Sequence, residues 1–458
     1  MLRALVIAYQ LLLCAAAPAC AAEPAATFTL PNGLQVVVLP DHRLPIITHA
    51  VYYRAGSADD PPGQTGIAHF LEHLMFRGTR RFPNGQYDLI VTRAGGTNNA
   101  FTSNDKTYYY EQVMTEGLAK VMELDADRMA GLDVAASEAA HELDVVLEER
   151  RAYLDDPESV LADKAGHALY GQGVYAHPVL GEASETPSLT LEAALAFHHR
   201  QYSPANAIVV IAGDAEPQTV RALAEATYGK LPAAPAPPPR PWAVLPAACP
   251  DGIVEERHER VARDKASLYF VTPGAAVLGV QTAAALSLLA DILQDQTASP
   301  LWRSLQDQGA PASDLSAGYE LKLAAGEFSI ALTANEDGQA LQLRPALLDA
   351  LAMLRRTGIG AAMLEAAKRR QLTEHLLRAD DQLGEATRHG ELLAIGRSLT
   401  EIEAEPKTIA SVTLADVNAV LRDFLPNRCF ATALLERSST AEPARLRPAP
   451  QQPAHAVH

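Results

Sequence analysis

The sequence predicts an α+β protein of two homologous domains, each a mainly antiparallel sheet packed with helices. Three observations carry this. Short apolar or alternating segments of strand length interleave with longer helical patterns. A Pro/Ala run, Leu231 to Pro241, cannot enter helix or sheet and divides the chain near its middle. The order of strand and helix patterns before that run recurs after it. At 458 residues the chain is also too long for one ordinary domain.

Taken in order, Arg3, the apolar run Ala4 to Ala17 and the small residues Cys20-Ala21-Ala22 have the layout of a secretory signal peptide over residues 1–22. The alternative is a lipid anchor on Cys20. Two of the four cysteines, Cys14 and Cys20, leave with that segment. Cys249 and Cys429 remain, either as a disulfide or as separate buried thiols. Residues 23–230 form the expected first domain, 231–248 a linker, 249–437 the second domain and 438–458 a disordered Pro-rich tail. No other segment is long and apolar enough to span a bilayer.

In the first half, Phe28 to Pro40 reads as strand, Asn32-Gly33 turn and strand. Ile47 to Arg54 is strand-like and is followed by the helical segment AHFLEHLMF, residues 68–76. A Gly95-Gly96 turn leads into strands Thr97 to Thr102 and Thr107 to Val113, where Tyr108, Tyr109 and Tyr110 alternate faces. Ser137 to Leu154 is helical, with Ser137 as the expected N-cap; Asp155-Asp156-Pro157 ends it. His198-His199 beside Arg200 decorate a helix C-terminus, His177-Pro178 belong to a loop, and Ile208 to Gly213 is a closing strand. In the second half Ala266 to Thr272 is a strand and Ala283 to Gln294 a helix. Two strands within residues 316–334 follow, and Cys429 to Leu435 closes the half.

Bulk properties restrict function. An apolar share of 48% against 20% charged supplies ordinary cores and excludes wholesale disorder. A formal net charge of −17 excludes a nucleic-acid binder, which needs a basic face for phosphates.

One segment resists a purely structural reading. His69 and His73 are one helical turn apart and project from the same face, so both imidazoles can reach one tetrahedral Zn²⁺. Glu72 is placed to reach a metal-bound water without being a ligand, in the order H-x-x-E-H. A solvated helical face would be the ordinary explanation, but Phe70, Leu71, Leu74, Met75 and Phe76 surround the trio. The corresponding helix of the second half carries Leu, Ala and Asp among aliphatics, so the fold does not require the trio. Catalytic zinc needs a third protein ligand from another element. Glu142 and Glu149 share a face of the Ser137 to Leu154 helix, Glu148 is rotated about 100° away, and His141 turns off that face into solvent.

These residues resemble the pitrilysin/insulinase family of inverted-motif zinc peptidases, and more closely its half-length branch, which includes the mitochondrial processing peptidase subunits and bacterial relatives. The likeness runs from about Phe28 to Glu436. It rests on Gly66 to Thr79, on Gly95 to Thr102 with Asp105 and Thr107, on Glu142 to Glu149, and on Tyr202 to Ala207 followed by Gly213-Asp214. The resemblance implies one zinc held by His69, His73 and Glu149. The last is selected over Glu148 because the family's distal ligand follows the second His by about 76 residues. It further implies Glu72 as general base toward a zinc-activated water, with Glu142 as an auxiliary partner outside the ligand set. Asn99, Ala100, Phe101 and Thr102 match the edge strand on which extended or unfolded peptides pair, inside a clam-shell chamber of which this chain forms half.

One departure from the family stands out. In family members an Arg and, farther along, a Tyr reach across the chamber; Gln306 and Ala312 occupy those places here, with Arg303 three residues off and Tyr319 in the following strand. The pattern resembles the catalytic subunit of a heterodimer whose homologous partner supplies the Arg/Tyr pair, a homodimer being the weaker fit. The expected function is therefore a periplasmic zinc endopeptidase. The alternative readings are a non-catalytic assembly subunit of the same fold, or a peptide-binding protein with structural zinc.

Overall fold

The computed structural model describes residues 23–83, 85–238, 240, 252–425 and 430–438. The expected signal segment, all four cysteines and the tail beyond residue 438 lie outside these.

The first half folds as β1 (Ala26–Thr29), β2 (Gln35–Pro40), β3 (Ile46–Tyr53), α1 (Ile67–Leu74), α2 (Gln86–Arg93), β4 (Thr97–Thr102) and β5 (Thr107–Met114). It continues through α3 (Leu118–Ala130), α4 (Ala136–Leu154), α5 (Pro157–Tyr170), α6 (Leu191–Gln201), β6 (Ala207–Gly213) and α7 (Pro217–Ala226). The second half contains β7 (Gly252–His258), β8 (Lys265–Pro273), α8 (Val280–Gln294), α9 (Pro300–Asp307), β9 (Ala312–Leu321) and β10 (Ala325–Ala334). Then come α10 (Ala340–Thr357), α11 (Ala361–Arg378), α12 (Gln382–Ala394), α13 (Leu399–Glu403), α14 (Glu405–Ser411), α15 (Leu414–Phe424) and β11 (Phe430–Arg437). The α+β class with two related sheets is borne out.

The relation between halves is topological. The first sheet has order β1-β2-β6-β3-β5-β4 and the second β7-β11-β8-β10-β9. In each, one parallel pair (β2 with β6, β7 with β11) joins an otherwise antiparallel ladder. Strand β4 at one edge therefore corresponds to β9 at the other, and α1 to α8.

The halves exchange helices, which the sequence did not foretell. Helix α5 of the first half packs on β7 and β11 of the second, burying Leu161 and Ala165 against Val261, Ala433 and Leu435. Helix α12 of the second half packs on β3 and β6 of the first, with Ala386, Leu393 and Ala394 against Val37, Ala50, Tyr52 and Ile208. Each sheet thus buries its outer face under a helix from the other half.

Three local expectations are corrected. Ala135 stands at the N-cap of α4 in place of Ser137, and its N–H donates to the Glu138 carboxylate. Asp156 does more than end α4: its carboxylate accepts the Glu158 and Ser159 N–H groups, capping α5, whose first residue is Pro157. His198 is buried at 3% exposure with Nε2 on the Arg128 carbonyl, so it is a core group, while His199 faces solvent.

The core of the first half contains a set of charges that the sequence reading missed. Register places His49 of β3 opposite Glu111 of β5, with Nδ1 2.7 Å from the carboxylate, and Asp125 of α3 lies 3.1 Å away. Arg128 pairs with both acids, and its guanidinium lies 4.5 Å from the Tyr87 and Tyr109 ring centroids. Burial opposes a charged His49, but Asp125 and Glu111 outweigh it and push the imidazole up to about 9. Burial and the neighbouring Asp125 push Glu111 up in turn, while against burial Arg128 and His49 lower Asp125. Period-2 alternation was the available signal, because Glu111 shares the inward face of β5 with Tyr109 and Val113.

Helix exchange sets a test. A Cβ at Gly390 of α12 would overlap the Tyr52 ring on β3. Gly390→Ala should therefore cost about 1–3 kcal/mol by overpacking, read as a lower unfolding midpoint. An unchanged midpoint would show that α12 does not seat on the first sheet.

Candidate metal centre and peptide edge

Helix α1 is fixed at its start before it presents any side chain. Gly66 holds φ +89°, and its N–H with that of Ala68 donates to the Asp60 carboxylate at 2.7 and 3.1 Å. An acid at a helix N-terminus is favoured by the dipole and by the unpaired N–H groups there. A side chain at Gly66 would press on the Leu180 carbonyl and Gly181, so the segment around residue 180 also sets where α1 begins. Ile67, Ala68, Phe70, Leu71 and Leu74 bury one side of the helix.

The remaining face turns His69 and His73 toward α4, which packs against α1. The two rings lie 4.8 Å apart between centroids. Glu149 Oε2 lies 3.6 Å from His69 Nε2 and 3.4 Å from His73 Nε2. Donor atoms about 2.0–2.1 Å from a tetrahedral zinc stand about 3.3–3.4 Å from one another. The three residues therefore fit such an ion by spacing and by chemistry, and their ligand atoms all fall within 4.8 Å of each other. Glu148 faces solvent and pairs with Arg151.

Glu142, two turns before Glu149 on α4, is buried at 3% side-chain exposure. Its carboxylate stands 3.5 Å from His73 Nδ1 and 3.2 Å from Arg77 Nε. Arg77 follows His73 by one turn, a signal present in the sequence but given no role there. Carboxylate partners of this kind orient a ligating imidazole and raise its basicity. His69 Nδ1 is buried without a hydrogen-bond partner among the described residues.

The two imidazoles respond oppositely to this setting. Burial, reinforced by the charge on His73, lowers His69 to about 4. Burial opposes a charge on His73 too, but Glu142 and Glu149 outweigh it and raise the group to about 9. Burial also raises Glu72, against the lowering effects of a Thr102 hydrogen bond and His73.

That hydrogen bond ties the helix to the sheet. Thr102 Oγ1 donates to Glu72 Oε2, so the last residue of β4 holds the carboxylate beside the two imidazoles. Strand β4 pairs with β5 on one side and is the sheet's edge on the other. Asn99 and Phe101 point outward from it, Phe101 with 54% exposure, while Asn98 turns inward and donates to Asp88 at 2.9 Å. Asn99 Oδ1 accepts the Ala100 N–H at 2.8 Å, and Ala100 is half-buried.

The second half repeats the cleft without the chemistry. There Ala283, Ala284 and Ser287 of α8 face Tyr319 and Leu321 of β9, lining a cavity of about 230 Å³. These are the cleft positions, in place of the Leu, Ala and Asp expected. Gln371 of α11 donates to Ser287 at 3.0 Å, where the first half has Glu149 against His73. Arg303 donates to the Ala298 carbonyl of its own half and Tyr319 packs on Phe328.

Comparison with known proteins agrees with this division. Residues 35–183 match the insulinase family, peptidase family M16, and residues 188–371 match the peptidase M16 inactive domain. An uncharacterized zinc protease of Mycobacterium tuberculosis is 31% identical over 430 residues, 91% of this chain and 94% of that protein. The chain belongs to peptidase family M16. Zinc protease PqqE of Helicobacter pylori is 37% identical over 205 residues, 44% of this chain and 46% of that protein, so this match spans about half of the relative. A crystal structure of a protease from Helicobacter pylori superposes with TM-score 0.81 at 26% identity, over 91% of this chain and 100% of that one. The periplasmic protease PqqL of Escherichia coli shares the fold, with TM-score 0.75 at 21% identity over 91% of this chain and 48% of its own. Among the described residues of this M16 chain, no helix is long and apolar enough to cross a membrane.

The Glu142 contact sets a second test. Glu142→Gln should weaken zinc binding roughly 10–100-fold, measured by chelator competition on the full chain. Parental affinity in that variant would remove Glu142 from the site.

Proposed function

We propose that this chain is a zinc-dependent endopeptidase for extended or unfolded peptides, with His69, His73 and Glu149 holding one Zn²⁺ and Glu72 acting as general base. Residues 23–230 form the metal-bearing domain in this reading, and residues 249–437 a homologous domain without metal. The observation that carries it is the approach of the Glu149 carboxylate to 3.6 and 3.4 Å from the two imidazole nitrogens, with the Glu72 carboxylate tied beside them. When bound, zinc supplies a Lewis acid that polarises a peptide carbonyl and acidifies water.

The chain's own groups do the rest. The open edge of β4 offers Asn99, Ala100, Phe101 and Thr102 to an incoming backbone, which pairs as an added strand with little demand on sequence. That pairing needs an extended peptide and leaves the scissile bond beside Glu72. Glu72 takes the proton of the attacking water and returns it to the departing amine. Glu142, itself paired with Arg77, holds His73 in orientation throughout.

Gln306 and Ala312 stand where the family resemblance expects an Arg and a Tyr, which supports a division of labour with a homologous partner subunit. The fold match to 48% of the PqqL chain suits a half-sized protein that pairs with a second half. Export to the periplasm follows from the layout of residues 1–22, and PqqL is itself described as periplasmic.

Two measurements test these assignments. Glu72→Gln should keep its zinc and lose roughly 10²–10⁴-fold in kcat on a quenched peptide; turnover that survives would sink the assigned base. Adding a homologous subunit that carries the Arg/Tyr pair should raise the rate of the parental chain about 10²–10³-fold, as transition-state donors worth ~3–4 kcal/mol would. Full activity from the purified single chain would refute the partnership.

A further inference from the structure

We propose that Arg240, inside the Pro-rich linker, is a positioning residue for peptide hydrolysis: it clamps the turn before α1 to the turn after β4 and so sets the spacing between Glu72 and the peptide edge. This rests on the peptidase reading above.

The linker backbone over residues 232–238 has no regular structure, yet the Arg240 side chain is only 10% exposed. Its Nε donates to Asp59 Oδ1 at 2.7 Å and its Nη2 to Asp59 Oδ2, a two-pronged contact with one carboxylate. Nη1 donates to the Asp105 carboxylate and Nη2 to the Asp105 carbonyl at 2.9 Å. Asp59 lies next to Asp60, which caps α1. Asp105 lies three residues beyond Thr102, which holds Glu72.

The two turns are also stitched directly. Ser57 N–H donates to the Ser103 carbonyl at 3.0 Å and Ala58 N–H to that of Asn104 at 2.8 Å. The second half joins at the same point: Leu323 N–H donates to Asp105 at 2.8 Å. Tyr175 Oη donates to that carboxylate and accepts the Ala324 N–H at 2.9 Å. Five segments therefore meet around one guanidinium and one aspartate. Without Arg240, two carboxylates at 8% and 4% side-chain exposure face each other with no cation between them. The guanidinium fork matters as well as the charge, because Lys offers a single ammonium with no planar pair of donors.

The test compares Arg240→Met and Arg240→Lys with the parental full chain. It reads zinc content, kcat and KM on an extended peptide, and amide hydrogen exchange over residues 97–107. The methionine variant should keep its zinc, lose roughly tenfold or more in kcat/KM, and exchange faster over 97–107. The lysine variant should fall between. Parental kcat/KM together with parental exchange overturns the proposal, as does a fall in kcat/KM with exchange unchanged. Where Arg240→Met fails to fold, the double variant Asp59→Asn/Arg240→Met relieves the facing carboxylates and carries the same readouts. Exchange is measured whether or not the chain turns over, so a failed clamp is distinguishable from a failed peptidase assignment.

Discussion

A charged group taken out of water must meet an opposite charge or a hydrogen-bond partner at contact distance. That constraint organises the first half twice. In the core, His49 and Arg128 answer Glu111 and Asp125 across β3, β5 and α3. At the cleft, Glu142 lies between Arg77 and His73. The two sets differ in what they leave over. The core set matches two basic groups with two acids. At the cleft, Glu149 and two imidazoles bring ligand atoms within 4.8 Å of one another, a donor set that could hold a metal ion.

The second half shows that the architecture does not depend on this arrangement. Its sheet has the same strand order, and α8 packs on it as α1 packs on the first sheet, but small side chains replace the imidazoles. Ser287 and Gln371 satisfy each other with one neutral hydrogen bond. The His/Glu set of α1 and α4 has no counterpart on α8 and α11 in that cavity, whose charged lining, Arg397, Glu401 and Glu405, comes from outside those two helices. Duplicated halves under different constraints place the His69, His73 and Glu149 cluster in the first half, without a matching set at the corresponding positions of the second.

What the sequence made legible follows from which interactions are local. Many strands and several helices were readable because periodicity records burial on the same element, and observed ends differ from expected ones by up to four residues. His69, Glu72, His73, Glu142 and Glu149 were readable because helical spacing and family resemblance constrain them together. The exchange of α5 and α12 was not, since an apolar helix face does not say which sheet it will cover. Nor was the burial of His198, whose partner is a backbone carbonyl 70 residues earlier. Arg240 was hidden for a further reason: Pro-rich composition predicts an extended backbone correctly and says nothing about one side chain reaching back.

These long-range contacts share a destination. The β4–β5 turn receives Arg240 and Leu323 through Asp105, and Lys106 lies 3.4 Å from Glu391 of α12. Helix α12 belongs to the second half yet sits on the first sheet, so three independent ties from beyond residue 230 converge within four residues of Thr102. A rigid-body shift between the halves cannot leave that turn in place, because each tie would have to lengthen at once. The second half lacks metal ligands but still fixes the strand on which a peptide would lie. Cutting the chain at its linker would therefore not release an intact first half: it would uncover the outer face of the first sheet and free the end of β4.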